Sequence, residues 1–411
     1  MRVLLVSDSY PPLIGGATNA VHTLAIGLTA AGHDVCVATP WQPGTTATEV
    51  LDGIEVHRLD GIFSRLWRRF RRHAITYRYT PLPLPDPEVV WRLRRLLRRS
   101  RPDVIVSYGW LTYGLSLALT GSDVPLVLSG RDYANVCALR TLLRDNQPCD
   151  GPAWGKCLGC ASGEYGRVGA AVAVTSVLGQ RRRLARKTRG LHSCSHYVQD
   201  VLHRHLLEPR ATEGLLADVV IPDYRTPEEP GQAVDGLPDE PYVMYVGALR
   251  TVKGVDVLLR AYTQLTDPPP LVLIGTRSPD PLPPLPPSAV LIEALPHAQV
   301  LRAWQGALFG VAPSLLPEPL GNVIHEAMSA GRPVIGTVPG GQTEMIEDGV
   351  NGLLVPSGDV NALAVAMRRL IDDAPLRDRL GQAARTTAER FTEAVQLPRF
   401  LALLDQVVDA P

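Results

Sequence analysis

The sequence predicts an α/β protein of two domains, each an alternation of strands and helices. Three observations carry that prediction. Short, continuously apolar runs such as VLLVS at 3–7 and YVMYV at 242–246 have the composition of strands covered on both faces of a parallel sheet. Both runs lead through a glycine-marked turn into a helix, at Gly15–Gly16 in the first half and across Gly247 to Gly254 in the second. Between the halves, DYRTPEEPGQAVDGLPDE at 223–240 has the content of a linker. At 411 residues, 45% of them hydrophobic, the chain is also longer than a single core serves. The expected division is a first domain over 1–225, a linker over 226–240 and a second domain over 241–390. A last helix, over 391–411, is expected to pack back on the first domain.

Forty-one basic residues balance forty-one acidic ones, so no whole-chain field favours nucleic acid. No stretch reaches the roughly 20 apolar residues of a membrane span. The apolar run after Arg2 stops at Ser7, too short for a secretory signal. The expected location is cytoplasmic, in solution or at the inner face of the membrane.

Taken in order, strand 2–7 is followed by a loop with Tyr10, Pro11 and Pro12, then by Gly15–Gly16 and a helix over 17–31 that Gly32 ends. HDVCVAT at 33–39 is the next strand. The paired glycines either let backbone approach a phosphate or simply permit a tight turn. The pattern is not GxGxxG, and no acidic residue follows the second strand to read a ribose, so a dinucleotide site fits poorly.

From Ser64 to Arg101 the chain is strongly basic, with SRLWRRFRRH and then WRLRRLLRR. Asp86, Pro87 and Glu88 give the second run an N-cap, a first-turn proline and a favourable charge. Val89, Leu93, Leu96 and Leu97 line one face and arginines the other, as in a crossover helix with a solvated side. Such a face also suits an anionic membrane surface, where each arginine contributes about 1 kcal/mol. Strands follow at 103–107 (DVIVS) and 125–129 (PLVLS), the latter running into Gly130 and Arg131.

Four of the six cysteines, Cys137, Cys149, Cys157 and Cys160, fall in one glycine-rich segment, the last pair as CLGC, expected in a loop. The group suits a tetrahedral structural zinc site, with an iron–sulfur cluster or plain thiols as alternatives. Four thiolates leave an ion no open position, so such a metal would be structural, not catalytic.

In the second half, GALRTVKG at 247–254 carries Arg250 and Lys253 and leads into a helix ending near 265. Strands at 271–274, 290–293 and 309–312, with a helix at 299–306, deliver the chain to APSLLPEPLGNVIHEAMSAGRPVIGTVPGGQTEMIE at 312–347. A helix is expected there from Pro319, with Val323, Ile324, Ala327 and Met328 inward and Gly331 as its stop. Glu318 then stands at a helix mouth whose first N–H groups lack intrahelical partners and attract anions. Glu326 shares a face with Asn322, four residues earlier. Such a mouth suits a ligand with phosphate at one end and hydroxyls at the other. The alternative is that Glu318 serves the helix dipole and Glu326 a solvated face. Helices at 362–370, 376–390 and 392–407 complete the chain.

Together, the Gly15–Gly16 turn, VGALRTVKG, PEPLGNVIHEAMSAGRPVI and PGGQTEMIEDGVNGLLVPSGD resemble the family-4 retaining glycosyltransferases. The resemblance covers nearly the whole chain, is strongest from Tyr242 to Asp359, and includes the family's E-x7-E pair as Glu318 and Glu326. It implies the GT-B fold, two facing Rossmann-like domains with the active site in the cleft between them. It implies transfer of a sugar, with retention and without a catalytic cofactor, from a UDP- or GDP-type nucleotide-diphosphate sugar to a hydroxyl acceptor. Residue by residue, it implies that Glu318 binds sugar hydroxyls, Glu326 the ribose and Lys253 the diphosphate. The backbone of Leu320, Gly321, Asn322 and Val323 would lie against the donor, beside Gly247, while Gly15 and Gly16 let the first-domain loop close over it. Two positions depart from the family. Its arginine after the strand glycine is Ala248 here, with Arg250 two residues on as the candidate replacement. Its catalytic-loop histidine aligns with Arg131, which either touches substrate or pairs with Asp132 or Asp145. Asp8 and Tyr10 are expected to face the acceptor.

Other classes fit the same residues. One is a sugar-nucleotide epimerase or a glycoside phosphorylase on this fold. Another is a degenerate protein that holds a nucleotide sugar without turning it over, which the changes at Ala248 and Arg131 would suit.

Overall fold

The computed structural model describes residues 1–70, 82–207, 214–226, 228–278, 280, 282–293 and 295–409. The end of the first basic run (71–73), one linker position (227) and two positions of the proline-rich loop (279 and 281) lie outside them. The chain forms two compact units: Met1–Arg140, Asp150–Tyr224 and the segment from Gln396 make unit 1, while Thr141–Cys149 and Arg225–Val395 make unit 2.

The chain opens with β1 (Arg2–Ser7), α1 (Gly16–Ala30), β2 (Asp34–Pro40), β3 (Thr48–Leu51), β4 (Ile54–Leu59), α2 (Ile62–Phe70), α3 (Pro87–Ser100), β5 (Val104–Tyr108), α4 (Leu111–Ala118) and β6 (Leu126–Gly130). After the short hairpin β7 (Leu143–Arg144) and β8 (Gln147–Pro148) come α5 (Trp154–Lys187), β9 (Thr188–Ser193), α6 (His196–Leu202) and β10 (Ala217–Val220). Then follow β11 (Tyr242–Val246), α7 (Val255–Tyr262), β12 (Leu271–Ile274), β13 (Ala289–Ile292), α8 (His297–Gly306), β14 (Ala307–Val311), α9 (Asn322–Ser329), β15 (Val334–Val338), β16 (Gly352–Pro356), α10 (Val360–Asp372), α11 (Ala374–Ala388) and α12 (Glu393–Val408).

Unit 1 holds a sheet of order β10-β9-β6-β5-β1-β2-β4-β3, parallel except where the edge strand β3 runs antiparallel to β4. Unit 2 holds an all-parallel sheet of order β13-β12-β11-β14-β15-β16. That order reverses direction between β11 and β14, and ligands of open α/β sheets bind at such a switch point, beyond the carboxyl ends of the strands. Burial explains the composition: every residue of β5, β6 and β12 is buried, as strands covered on both faces require.

The caps follow the chemistry of their residues. Asp86 accepts from Glu88 N at 3.0 Å and Val89 N at 3.4 Å, with Pro87 in the first turn of α3. Asp145 and Asn146 take left-handed φ values of 51° and 58° in the two-residue turn between β7 and β8.

Three expectations need correction. Helix α9 starts at Asn322 rather than Pro319, because Glu318 O accepts Gly341 N at 2.7 Å and holds that stretch as a loop. The CLGC motif lies in α5, not in a loop. Its many glycines read as turn-formers, yet the helix forms from Trp154 and breaks at Gly166, whose φ of 70° is non-helical. The hairpin β3–β4 and strands β15 and β16 were not among the expected strands. Burial of Leu353 and Val355 shows that β16 is carried by tertiary packing.

Each unit has its own core. Phe400, Leu403, Leu404 and Val407 of α12 share a cluster with Val3, Leu5, Leu28, Val35 and Val127 in unit 1. Backbone carbonyls tie the helix down as well: Arg399 Nη2 donates to Val220 O at 2.7 Å and Gln406 Nε2 to Leu216 O at 2.7 Å.

Candidate functional site

In unit 2 three loops meet at the carboxyl ends of β11, β14 and β15. Leu315 N and Leu316 N donate to Val252 O at 3.1 and 3.3 Å, joining the second loop to the first. The hydroxyls of Thr337 and Ser357 donate to Ser314 O at 2.9 and 3.0 Å, joining it to the third strand and the one beyond. Two glycines make the approach possible. A Cβ on Gly254, where φ is 71°, would stand 1.8 Å from Pro313 O. On Gly340, where φ is 145°, it would stand 2.8 Å from Glu318 N. Neither position admits a side chain without moving the backbone that carries Glu318.

Glu318 is buried, and its Oε1 accepts from Lys253 Nζ at 2.6 Å and from the Ser314 hydroxyl. A lysine from the loop after β11 and a glutamate from the loop after β14 are therefore in contact at the switch point. Gly321 precedes α9, and no side chain caps the helix start. The helix mouth thus combines a fixed cation, a fixed carboxylate and the N-terminal end of a helix, the end that favours anions. Arg250 is more exposed and lies 3.8 Å from Asp280, whose carboxylate also accepts from Thr251 N at 3.0 Å. Gly247 ends β11, and the Tyr245 hydroxyl donates to Ala248 O at 2.8 Å beside it.

Glu326 is not on a solvated face. It is buried on α9 and pairs with Arg225, while His297 Nε2 lies 3.2 Å from the same oxygen. Burial pushes the Glu326 carboxyl up, but the Arg225 charge and the His297 contact outweigh it and hold the group below the usual range. The hydrogen bond to Glu326 raises His297, against burial and the Arg225 charge; Glu228 on its other nitrogen adds to the rise. Arg225 N also donates to Phe391 O at 3.4 Å, and Arg225 forms a β-bridge with Thr392. Sequence reasoning missed Ser314, Arg225, His297 and Gly340. Ser314 reaches Glu318 within a loop, where helical spacing gives no signal, and Arg225 and His297 gave none either.

Unit 1 carries Gly15, Gly16 and Arg131. Gly15 precedes α1 in extended backbone, and Gly16 begins the helix. Arg131 is buried and pairs with neither Asp132 nor Asp145, but with Asp223. Its Nε donates to Ser129 Oγ at 3.1 Å, Ser129 Oγ lies 2.9 Å from His192 Nδ1, and His192 Nε2 lies 2.8 Å from Ile221 O. The carbonyl requires Nε2 to donate, so Nδ1 accepts from Ser129. Burial, reinforced by the Arg131 charge, pushes His192 down to about 3, which keeps this chain of hydrogen bonds neutral at the imidazole. Arg131 therefore fastens segment 221–223 to β6 and β9.

Asp8 and Tyr10 do not present themselves to a ligand. Asp8 is buried and accepts from Trp110 N and Leu111 N, both at 2.6 Å, at the start of α4, while Arg140 pairs with it from over the Trp110 ring, 4.0 Å from the centroid. Tyr10 is fully buried, its hydroxyl 3.0 Å from His22 Nδ1. At the switch point of the first sheet, beside β1 and β5, Asp8 thus holds the start of α4 and the Arg140 guanidinium.

Cys137, Cys149, Cys157 and Cys160 were the expected zinc ligands. Among the described residues no three His, Cys, Asp or Glu side chains gather closely enough to hold a metal ion. Cys157 and Cys160 lie on α5, and Cys149 belongs to the segment counted with unit 2. No helix among the described residues is long and apolar enough to cross a membrane.

Comparison with known proteins matches both units. Residues 15–213 match the glycosyl transferase 4-like domain and residues 240–373 match the glycosyl transferases group 1. The glycogen synthase of Mycobacterium tuberculosis is 29% identical, over 94% of this chain and 89% of that protein. Among solved structures, the sucrose-phosphate synthase of Thermosynechococcus elongatus superposes with a TM-score of 0.76 at 21% identity, covering both chains entirely. Anabaena HepE in complex with UDP gives 0.66 at 17% identity, over 98% of this chain and all of the other.

Proposed function

We propose that this chain, a glycosyltransferase with the GT-B fold, moves a sugar from a UDP-sugar to a hydroxyl of a carbohydrate or glycoconjugate, with retention of anomeric configuration. The observation that carries the reading is the 2.6 Å contact of Lys253 with Glu318 at the second switch point, beside the start of α9. A nucleotide sugar has a dianionic diphosphate joined directly to a neutral polyol. A cation and a carboxylate in contact offer complementary partners for those two parts at their junction. In this reading Lys253, with Arg250 behind it, and the N–H groups of Leu320 to Val323 serve the diphosphate. Glu318 accepts from sugar hydroxyls and Glu326 from the ribose. UDP as the nucleotide is supported by its presence in the Anabaena HepE complex.

The reaction then needs no enzymic nucleophile. As the bond between the anomeric carbon and the diphosphate oxygen breaks, the acceptor oxygen bonds to that carbon on the same face. The departing diphosphate takes the acceptor's proton. Negative charge grows on the diphosphate, where Lys253 and the helix start are already oriented. Removing one such donor costs a factor of about 10² to 10³ in rate. Fixed positive charge there makes a metal-independent route sufficient. Arg131 acts indirectly, through the backbone it holds.

The test is turnover of labelled UDP-glucose, UDP-galactose and GDP-mannose, with the anomer of the first-formed product read by NMR. The reading expects UDP release, an α product from an α donor, and losses of at least about tenfold in Glu318→Ala and Lys253→Ala. Binding of a nucleotide sugar with neither transfer nor hydrolysis would leave a binding protein instead. Inverted product would refute the same-face route.

A further inference from the structure

Helices α2 and α3 of unit 1 carry an unusual concentration of charge. Residues 62–70 and 87–101 hold nine arginines and one glutamate, a formal charge of +8 in a chain whose total is zero. Charge of that density on two adjacent helices is not needed to cover a sheet. The inner face of α3 already does so with Val89, Val90, Leu93 and Leu96.

Apolar side chains stand in the middle of that charge. On α2 the exposed positions Ile62, Arg65, Leu66 and Arg69 follow one another at helical spacing and form one outward stripe. On α3 the corresponding stripe is Trp91, Arg94, Arg95 and Arg98. Trp91 is 57% exposed, Leu66 47% and Ile62 43%, and the Arg95 guanidinium lies 5.8 Å from the Trp91 ring centroid. The carboxylates that face this surface are Glu88, which pairs with Arg65 and Arg92, and Asp60, which pairs with Arg68 and lies 3.7 Å from Arg65. Asp86 is consumed as the α3 cap. Among the described residues no carboxylate pairs with Arg69, Arg94, Arg95, Arg98, Arg99 or Arg101; the Arg94 guanidinium donates to Leu117 O.

We propose that the outward stripes of α2 and α3 dock unit 1 on an anionic lipid bilayer. Unpaired arginines meet the lipid phosphates, and Ile62, Leu66 and Trp91 enter the boundary between head groups and acyl chains. The aliphatic pair favours lipid over a nucleic acid or an acidic protein. A helix at a lipid boundary keeps apolar and cationic side chains together on its outer face, whereas a soluble polyanion gives exposed Ile62 and Leu66 no partner. An acceptor presented at that surface is a consequence that rests on the transferase reading; docking itself does not.

The experiment is co-sedimentation of the full chain with phosphatidylcholine vesicles containing or lacking phosphatidylglycerol, at low and high salt, with brominated lipid as a quencher of tryptophan fluorescence. The expected results are binding that requires phosphatidylglycerol, is lost at high salt, and weakens about tenfold or more in Arg94→Glu/Arg95→Glu/Arg98→Glu. Quenching by brominated lipid should be present in the wild type and reduced in Trp91→Phe, while Leu66→Asn weakens binding without altering its salt dependence. UDP binding, measured on the same samples by calorimetry, should be equal in all variants. Failure of UDP to bind anywhere would count against the transferase reading and leave docking intact. No vesicle binding at low salt would overturn the proposal, as would binding with no Trp91-dependent quenching and equal affinity for DNA or polyglutamate.

Discussion

Replacing Arg225 by alanine should loosen α9 in a way that depends on pH. Glu326 is buried on that helix, and its carboxylate faces the Arg225 guanidinium and the His297 imidazole. Removing one partner of a buried pair leaves an uncompensated charge and costs about 3–5 kcal/mol. His297 moderates the loss. It is raised by Glu326 and held back by the Arg225 charge, so the substitution raises it further. A histidine whose folded pKa exceeds its unfolded value contributes fully below the unfolded value and loses that contribution as pH rises through the folded one. The variant should therefore be least impaired near pH 6 and progressively worse toward pH 9. The assay is amide hydrogen exchange of α9, corrected for intrinsic rates. At about 1.4 kcal/mol per decade, opening in the variant should be faster by roughly two to four orders of magnitude on the alkaline side. Wild-type exchange of α9 at pH 8, or an effect independent of pH, would refute the assignment of Glu326 to this pair.

Lys253→Met should lower kcat/KM about 10²- to 10³-fold while thermal unfolding of the protein is preserved, checked by steady-state kinetics and calorimetry. Gly340→Ala should displace the Glu318 backbone at a local cost of about 1–3 kcal/mol, reducing activity without altering the exchange of unit 1 amides. Phe400→Ala should remove about 3–5 kcal/mol from unit 1 by denaturant titration and leave the unit 2 transition in place. Treatment with a chelator should leave the melting temperature unchanged, and Cys157→Ser with Cys160→Ser should shift stability by less than about 1 kcal/mol, since no ligand cluster gathers there among the described residues.

Strands β1, β5, β6, β11 and β12 were legible because burial on both faces leaves continuous apolar runs, and α3 because Asp86, Pro87 and Glu88 each mark a helix start. The start of α9 was not. Pro319 fits a first turn, but a backbone bond from Gly341, more than twenty residues later, keeps it in the loop. The helix at Cys157 was hidden for a related reason. Six glycines within α5 argue against helix locally, and packing of Ala161, Tyr165, Ala170 and Val174 overrides them. At the candidate site, Glu318, Lys253 and Glu326 could be picked out by motif. Their partners could not, because Arg225 and His297 reach Glu326 from segments about 100 and 29 residues away that carry no mark of their own. Arg131 shows the limit from the other side: a conspicuous residue at a conspicuous position turned out to be tied to Asp223.

The late return of the chain from unit 2 gives unit 1 a peculiar birth. Its core lacks Phe400, Leu403, Leu404 and Val407 until residues beyond 396 are made, long after β1 to β10. A ribosome extrudes Arg225–Val395 of unit 2 in the interval. The first unit must therefore wait, with the apolar surface over β1, β6 and α1 uncovered, while the second is completed from contiguous sequence apart from one hairpin. Folding during synthesis would then run from the second unit to the first. A fragment cut before α12 should behave as an aggregation-prone intermediate, not as an isolated domain.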